Sequence, residues 1–107
     1  AAAERFGRID VLVNNAGVCV HVPSLDMTEE QWNRTFSINT KGVFFLSQAA
    51  ARVMVEKKTA GCIINISSIS AKVANHPQLQ AAYNASKAAV ESLTQCLAVE
   101  WACHGIR

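Results

Sequence analysis

Two kinds of apolar pattern divide the chain. Ile9-Asp10-Val11-Leu12-Val13 and Cys62-Ile63-Ile64-Asn65-Ile66 are short, nearly continuous and rich in β-branched residues. The first stops at Asn14-Asn15-Ala16-Gly17; the second is opened by Gly61 and followed by Ser67 and Ser68. Runs of this length and composition predict strands covered by helices on both faces. Elsewhere the apolar residues recur at helical intervals. Trp32, Phe36, Val43, Leu46, Ala50 and Val53 predict one long amphipathic helix. Thr28 begins it, with Gln31 completing a capping box, Gly42 marks a bend, and Lys57 and Lys58 end it. Ala85, Ala89, Leu93, Leu97 and Trp101 form a second stripe, on a helix expected from Ala82 to about His104. Ala1 to Phe6 reads as the last turns of a further helix closed by Gly7, and Ile69 to Gln80, with Pro77 and several polar residues, reads as a loop.

The order is therefore helix, strand, helix, strand, helix. Strands alternating with helices pair in parallel through crossovers, so the expected fold class is α/β, part of a doubly wound, Rossmann-like parallel sheet. Ligands of such sheets sit beyond the carboxyl ends of the strands. Asn14 to Gly17 and Ser67 to Ser70 both fall there.

Composition narrows the function classes. The 107 residues, half of them hydrophobic, suit a single small domain. Ten basic and eight acidic residues leave a formal charge of +2 with no run of one sign, so neither a nucleic-acid nor a membrane surface is expected. No apolar run approaches the ~20 residues that cross a bilayer. Cys19, Cys62, Cys96 and Cys103 make no Cys-x-x-Cys pair, and the start has no signal-peptide pattern; reduced thiols and a cytoplasmic location are expected. Cys103 and His104, with Cys19, His21 or His76, match no zinc-site spacing, so no metal is expected. Both ends read as cut from a longer protein.

Tyr83 and Lys87 change the picture. Four residues apart on a helix, they share a face, so an ammonium can lie near a phenol. A cation and the positive end of the helix both favour phenolate, which suits proton exchange with an alcohol or ketone oxygen. The alternative is a pair decorating a solvated face. Ser68 bears on the choice, because a hydroxyl at the second strand's end can hydrogen-bond the same substrate oxygen; alone, it reads equally as a turn residue.

Together these segments carry a family resemblance. Asp10-Val11-Leu12-Val13-Asn14-Asn15-Ala16-Gly17, Asn39 with Gly42, Asn65-Ile66-Ser67-Ser68 and Tyr83-x-x-x-Lys87 fall in order, and the chain resembles the classical short-chain dehydrogenases/reductases over essentially its whole length. That resemblance implies hydride transfer between NAD or NADP and an alcohol or carbonyl carbon. Tyr83 would be the acid–base residue, Ser68 would orient the carbonyl, Lys87 would hold the nicotinamide ribose and support the phenolate, and Asn39 would hold a water linking the lysine to solvent. Asn15, Ala16 and Gly17, with Tyr83 and Lys87, would line the cofactor, and Asn14 would support the site structurally. The partners implied are a small alcohol or ketone and further copies of the chain, as a dimer or tetramer.

Two departures from the family pattern matter. Ser68 stands fifteen positions before Tyr83, whereas Ser70, at thirteen, has the commoner spacing. Ser68 is preferred because it follows Asn65-Ile66-Ser67 at the strand end. The longer loop resembles that of members acting on polyols and keto-sugars, such as galactitol, mannitol, gluconate or sorbose. Ser70, His76, Gln78 and Gln80 are its candidate substrate contacts. Second, the glycine-rich phosphate turn of a Rossmann fold is absent from these residues, and so is the residue choosing between NAD and NADP. Residues 1–107 are thus expected to be the catalytic half of one NAD(P)-binding domain. The competing readings are an inactive fragment, a dinucleotide-sensing protein on the same fold, or an extended-branch epimerase or dehydratase.

Overall fold

A computed structural model describes residues 1–107. Helix α1 (Ala2–Phe6) ends at Gly7, whose φ of 76° lets its N–H bond back to the Ala3 carbonyl. Strand β1 (Val11–Asn14) leads to a loop, and Thr28 then caps α2 (Glu29–Phe36). The capping box is complete: Gln31 N–H donates to Thr28 Oγ1 at 3.2 Å, and Thr28 N–H donates to Gln31 Oε1 at 3.0 Å. A π-helical turn (Ser37–Gly42) joins α2 to α3 (Val43–Glu56). Strand β2 (Cys62–Asn65), a short 3-10 turn (Ile69–Ala71), α4 (Ala81–Trp101) and a second 3-10 turn (Ala102–His104) complete the chain.

β1 and β2 pair in parallel, Val11 opposite Cys62 and Asn14 opposite Asn65. The helical connection between them makes the unit β–α–β, the repeating element of a doubly wound sheet. Both strands are shorter than their apolar runs, yet the ladder outlasts them: Cys62 N–H bonds to Asp10 O and Ile66 N–H to Asn14 O. Arg107 lies along the other edge of β2, donating to Gly61 O and accepting from Ile63 N–H.

Coverage of the strands departs from expectation. Leu12 and Ile63 face the helices and pack on Ala50, Ala51, Met54 and Ile106. Val11, Val13 and Ile64 point to the opposite face and are exposed. Every crossover helix in these residues lies on one side, so only that face is covered.

The helix faces also differ from the predicted stripes. Trp32 and Leu46 are exposed, and Trp32 stacks on Phe36 at 4.8 Å. Val43 and Ala50 of the predicted stripe are buried, and they are joined on the inward side by Thr35, Asn39, Ser47, Ala51 and Met54. Gly42 has ordinary helical dihedrals and is the last residue of the π turn that interrupts the α-helical winding. On α4 the buried residues are Ala82, Ser86, Lys87, Val90 and Leu97, whereas Ala85 is exposed. Hydrophobic spacing missed the polar members of these faces, Thr35, Asn39, Ser47, Ser86 and Lys87, which are buried because hydrogen bonds satisfy them, across elements for all but Thr35.

Met54 is fully buried, and Gly61 passes directly over it. A Cβ at Gly61 would overlap Met54 Sδ and Cε and lie 3.0 Å from Cγ. Gly61→Ala is therefore expected to cost about 1–3 kcal/mol through overpacking, read as a lower denaturation midpoint of the full-length protein.

Candidate active site

Four segments meet beyond the carboxyl ends of the two strands. They are the turn after β1, the π turn, the turn after β2 and the first turns of α4. At their centre is Lys87, 4% exposed. Its Nζ donates to Ile66 O at 2.8 Å and lies 5.8 Å from the centroid of the half-buried Tyr83 ring. The i,i+4 spacing on α4 creates this pairing. Burial pushes the Lys87 ammonium below the usual lysine range.

Asn39 is wholly buried because the π turn carries it inward, between Thr35 and Val43. Its Oδ1 accepts from Val18 N–H at 2.8 Å, and its Nδ2 donates to Val18 O at 2.9 Å and to Ser86 Oγ at 3.0 Å. The amide thus pairs with Val18 as a neighbouring strand would, and locks the loop after Gly17. Ser86 Oγ donates onward to Tyr83 O at 2.8 Å, and Thr40 Oγ1 donates to Ser86 O at 3.1 Å, tying the π turn to the start of α4.

Asn14 joins the layers behind the site. Its Nδ2 donates to Ser47 Oγ at 2.9 Å on α3 and to Asn65 Oδ1 at 2.8 Å on β2. Asn65 Nδ2 continues to Thr94 Oγ1 at 2.9 Å, and Thr94 donates to Val90 O at 2.7 Å. Both strands and both long helices are therefore fixed by one chain of hydrogen bonds. Asn14 Oδ1 is buried without a protein partner.

Ser68 stands in extended backbone before the 3-10 turn, and its Oγ accepts from Ser70 N–H at 3.1 Å. Accepting there leaves its own hydrogen free to donate. Ser70 and Gln80, by contrast, are buried in the scaffold of the loop. Gln80 Nε2 donates to Ser70 Oγ, Asn75 Oδ1 and Asn84 Oδ1 at 3.1 to 3.2 Å, and Gln80 Oε1 accepts from Cys19 Sγ at 3.6 Å. Partial desolvation raises the thiol of Cys19, an exposed residue, above its ordinary range, which suits that donor role. His76 and Gln78 lie on the exposed side of the loop. A backbone bond from Val22 to Leu79 O holds this loop against the segment following β1.

Asn15, Ala16 and Gly17 are exposed at the end of β1. A Cβ at Gly17 would come 3.4 Å from Lys87 Nζ and 3.5 Å from Asn39 Oδ1. Glycine keeps that space beside the ammonium open, and two Lys87 hydrogens remain for hydroxyl acceptors. These features fit a ribose. No group of three or more His, Cys, Asp or Glu side chains is arranged to hold a metal, and no helix is long and apolar enough to cross a membrane.

Sequence reasoning missed Ser47, Ser67, Ser86, Glu91 and Thr94. The helical members had one legible signal: Ser86 stands four residues from both Ala82 and Val90, on the face α4 buries.

Comparison with known proteins agrees with this architecture. The family described as short chain dehydrogenase matches residues 1–107. Galactitol 2-dehydrogenase of Rhizobium johnstonii is 49% identical over 98 residues, covering 91% of this chain and 38% of that protein. L-rhamnose 1-dehydrogenase (NAD(P)(+)) of Sphingomonas sp. is 44% identical over 106 residues, covering 99% of this chain and 41% of that one. The crystal structure of a short-chain type dehydrogenase/reductase from Mycobacterium marinum superposes with a TM-score of 0.96 at 44% identity, over 98% of this chain and 41% of that one. The chain thus spans about two fifths of the length of these relatives. With the motifs, the parallel β–α–β unit and the site geometry in agreement, the chain belongs to the short-chain dehydrogenase family of NAD(P)-dependent oxidoreductases.

Proposed function

We propose that the protein containing these residues oxidises a secondary alcohol of a polyol or sugar, or reduces the corresponding ketone, using NAD or NADP. The observation that carries this reading is the meeting of Lys87, the Tyr83 ring and Asn39 around Gly17 at the ends of two parallel strands. The similarity to galactitol and rhamnose dehydrogenases supports the polyol and sugar class.

NAD or NADP, which Asn15, Ala16, Gly17, Tyr83 and Lys87 would hold, would supply the hydride acceptor for oxidation of the carbinol carbon and the hydride donor for the reverse. The side chains handle the proton and the orientation. In oxidation the Tyr83 oxygen takes the substrate hydroxyl proton, and in reduction it gives one to the ketone oxygen. Ser68 donates its free hydroxyl hydrogen to the same oxygen and fixes it for transfer. Lys87 binds ribose hydroxyls and keeps positive charge beside the phenol, while Asn39 locks the Gly17–Val18 backbone and holds a water that links the lysine to solvent. Asn15, Ala16 and Gly17 form the floor on which the cofactor lies, with Asn14 bracing it from behind. Ser70 and Gln80 shape the substrate loop from inside, and His76 and Gln78 present hydrogen-bonding groups at its surface.

Residues 1–107 are read as the catalytic half of one NAD(P)-binding domain, acting in a homo-oligomer. The bare sheet face of Val11, Val13 and Ile64 supports a partial domain, because in a doubly wound fold that face is covered. The test is nucleotide reduction or oxidation by the full-length protein across polyols, aldoses and ketoses with each cofactor. Turnover of at least one such alcohol–ketone pair is expected; inertness toward the whole panel, with cofactor bound, would sink the reading.

A further inference from the structure

One polar cluster is not used by the roles above. Ser67 Oγ shares its hydrogen between Lys87 O at 3.3 Å and Glu91 Oε1 at 3.2 Å. The other Glu91 oxygen, Oε2, pairs with Lys72 Nζ at 2.5 Å. Ser67 and Lys72 stand at the two ends of the turn that follows β2, and Ser68 lies between them. Glu91 is four residues beyond Lys87, so the same face of α4 carries both. One carboxylate on the helix that bears Tyr83 and Lys87 therefore ties down both ends of the turn that bears Ser68.

We propose that Glu91 is a positioning residue for Ser68, holding the Ser68 hydroxyl in register with Tyr83. This rests on the reading of Ser68 as the group that orients the substrate oxygen. The one bond of Ser68 itself, from Ser70 N–H, is local; the turn is also held to α4 by Ser67 Oγ to Lys87 O and to the start of α4 by Gln80 Nε2 to Ser70 Oγ, and Glu91 is the group that fastens its Lys72 end as well as Ser67. The hydrogen bond from Lys72 keeps the Glu91 carboxyl below its ordinary range, with a smaller contribution from Ser67, so the clamp is charged at neutral pH. Exposed ion pairs add little to folding stability, so the cluster's effect is expected in catalysis more than in melting. Misplacing a reacting group by about an ångström costs up to about 100-fold.

The experiment is a double-mutant cycle in the full-length protein with Ser68→Ala, Glu91→Ala and the two combined. Glu91→Gln, which retains an acceptor for Ser67 but loses the ion pair, completes the set. Glu91→Ala is expected to lower kcat/KM by about 10- to 100-fold with little change in Tm. In the Ser68→Ala background the same change is expected to have no further effect, because the residue it positions is gone. Glu91→Gln should fall between Glu91→Ala and the parent, and it replaces Glu91→Ala in the cycle should that variant fail to fold. Independent, multiplicative losses in the double variant overturn the proposal, since a purely structural glutamate behaves that way. A damaged Ser68→Ala beside an unaffected Glu91→Ala overturns the proposal alone. Full activity of Ser68→Ala overturns the reading of Ser68 and the proposal with it.

Discussion

Tyr83→Phe is expected to lower kcat/KM of the full-length enzyme by about 10²- to 10⁴-fold, the range associated with loss of a positioned acid–base group. The substitution removes one oxygen and leaves the ring. Packing beside Lys87, 5.8 Å from the ring centroid, is retained, and so is the backbone bond from Ser86 Oγ to the residue 83 carbonyl. Melting temperature should therefore stay near that of the parent, and cofactor affinity should fall far less than turnover, because Lys87 and Gly17 are untouched. Loss of turnover with retained cofactor binding separates proton transfer from binding. Undiminished turnover would assign the proton to another group and end the mechanism proposed for Tyr83.

The largest stability effect is expected at Met54. It is wholly buried against Ala50, Ala51 and Ile106, and it is the largest fully buried side chain in the chain. Met54→Ala removes most of that contact and should destabilise the full-length protein by about 2–5 kcal/mol. The overlap that a Cβ at Gly61 would make is entirely with Met54 atoms. Gly61→Ala placed on top of Met54→Ala should then cost much less than it does alone, because the added methyl enters the vacated space. Denaturant midpoints of the four proteins measure the coupling. Additive costs would mean that Gly61 is constrained by its backbone conformation and not by the methionine beneath it.

What could be read from the sequence follows the range over which each signal acts. Local signals were legible: the Thr28–Gln31 capping box and the Gly7 terminus each depend on residues within one turn of one another. Element order, and with it the parallel sheet, was legible because runs of different period alternate along the chain. The site was legible as a set of motifs, and the structure brings Asn39, Tyr83 and Lys87 to one place. Which helix face turns inward was legible only in part. Hydrophobic spacing selects Val43, Ala50 and Leu97, which are buried, but also Trp32 and Leu46, which are exposed, and it passes over Thr35, Asn39 and Ser47, which are buried with partners. A serine or asparagine carries no sign in sequence of whether its partner is water or another element. Ser67, Ser86 and Glu91 were missed for the same reason, as was the scaffold role of Gln80, whose acceptors come from three points of the loop and helix.

The π turn at Ser37–Gly42 sets the rotational phase between α2 and α3. Its wider winding lets Thr35, Asn39, Val43 and Ser47 stay on one side although they are spaced by four, a spacing that drifts around a regular α-helix. Winding the same number of residues there as a regular α-helix would rotate everything beyond the turn by roughly 100° relative to α2. Asn39 and Ser47 could then no longer face Val18 and Asn14 together. A one-residue deletion that closes the turn to α-helical winding would instead leave α2 and α3 nearly in phase and remove the bulge that carries Asn39 inward.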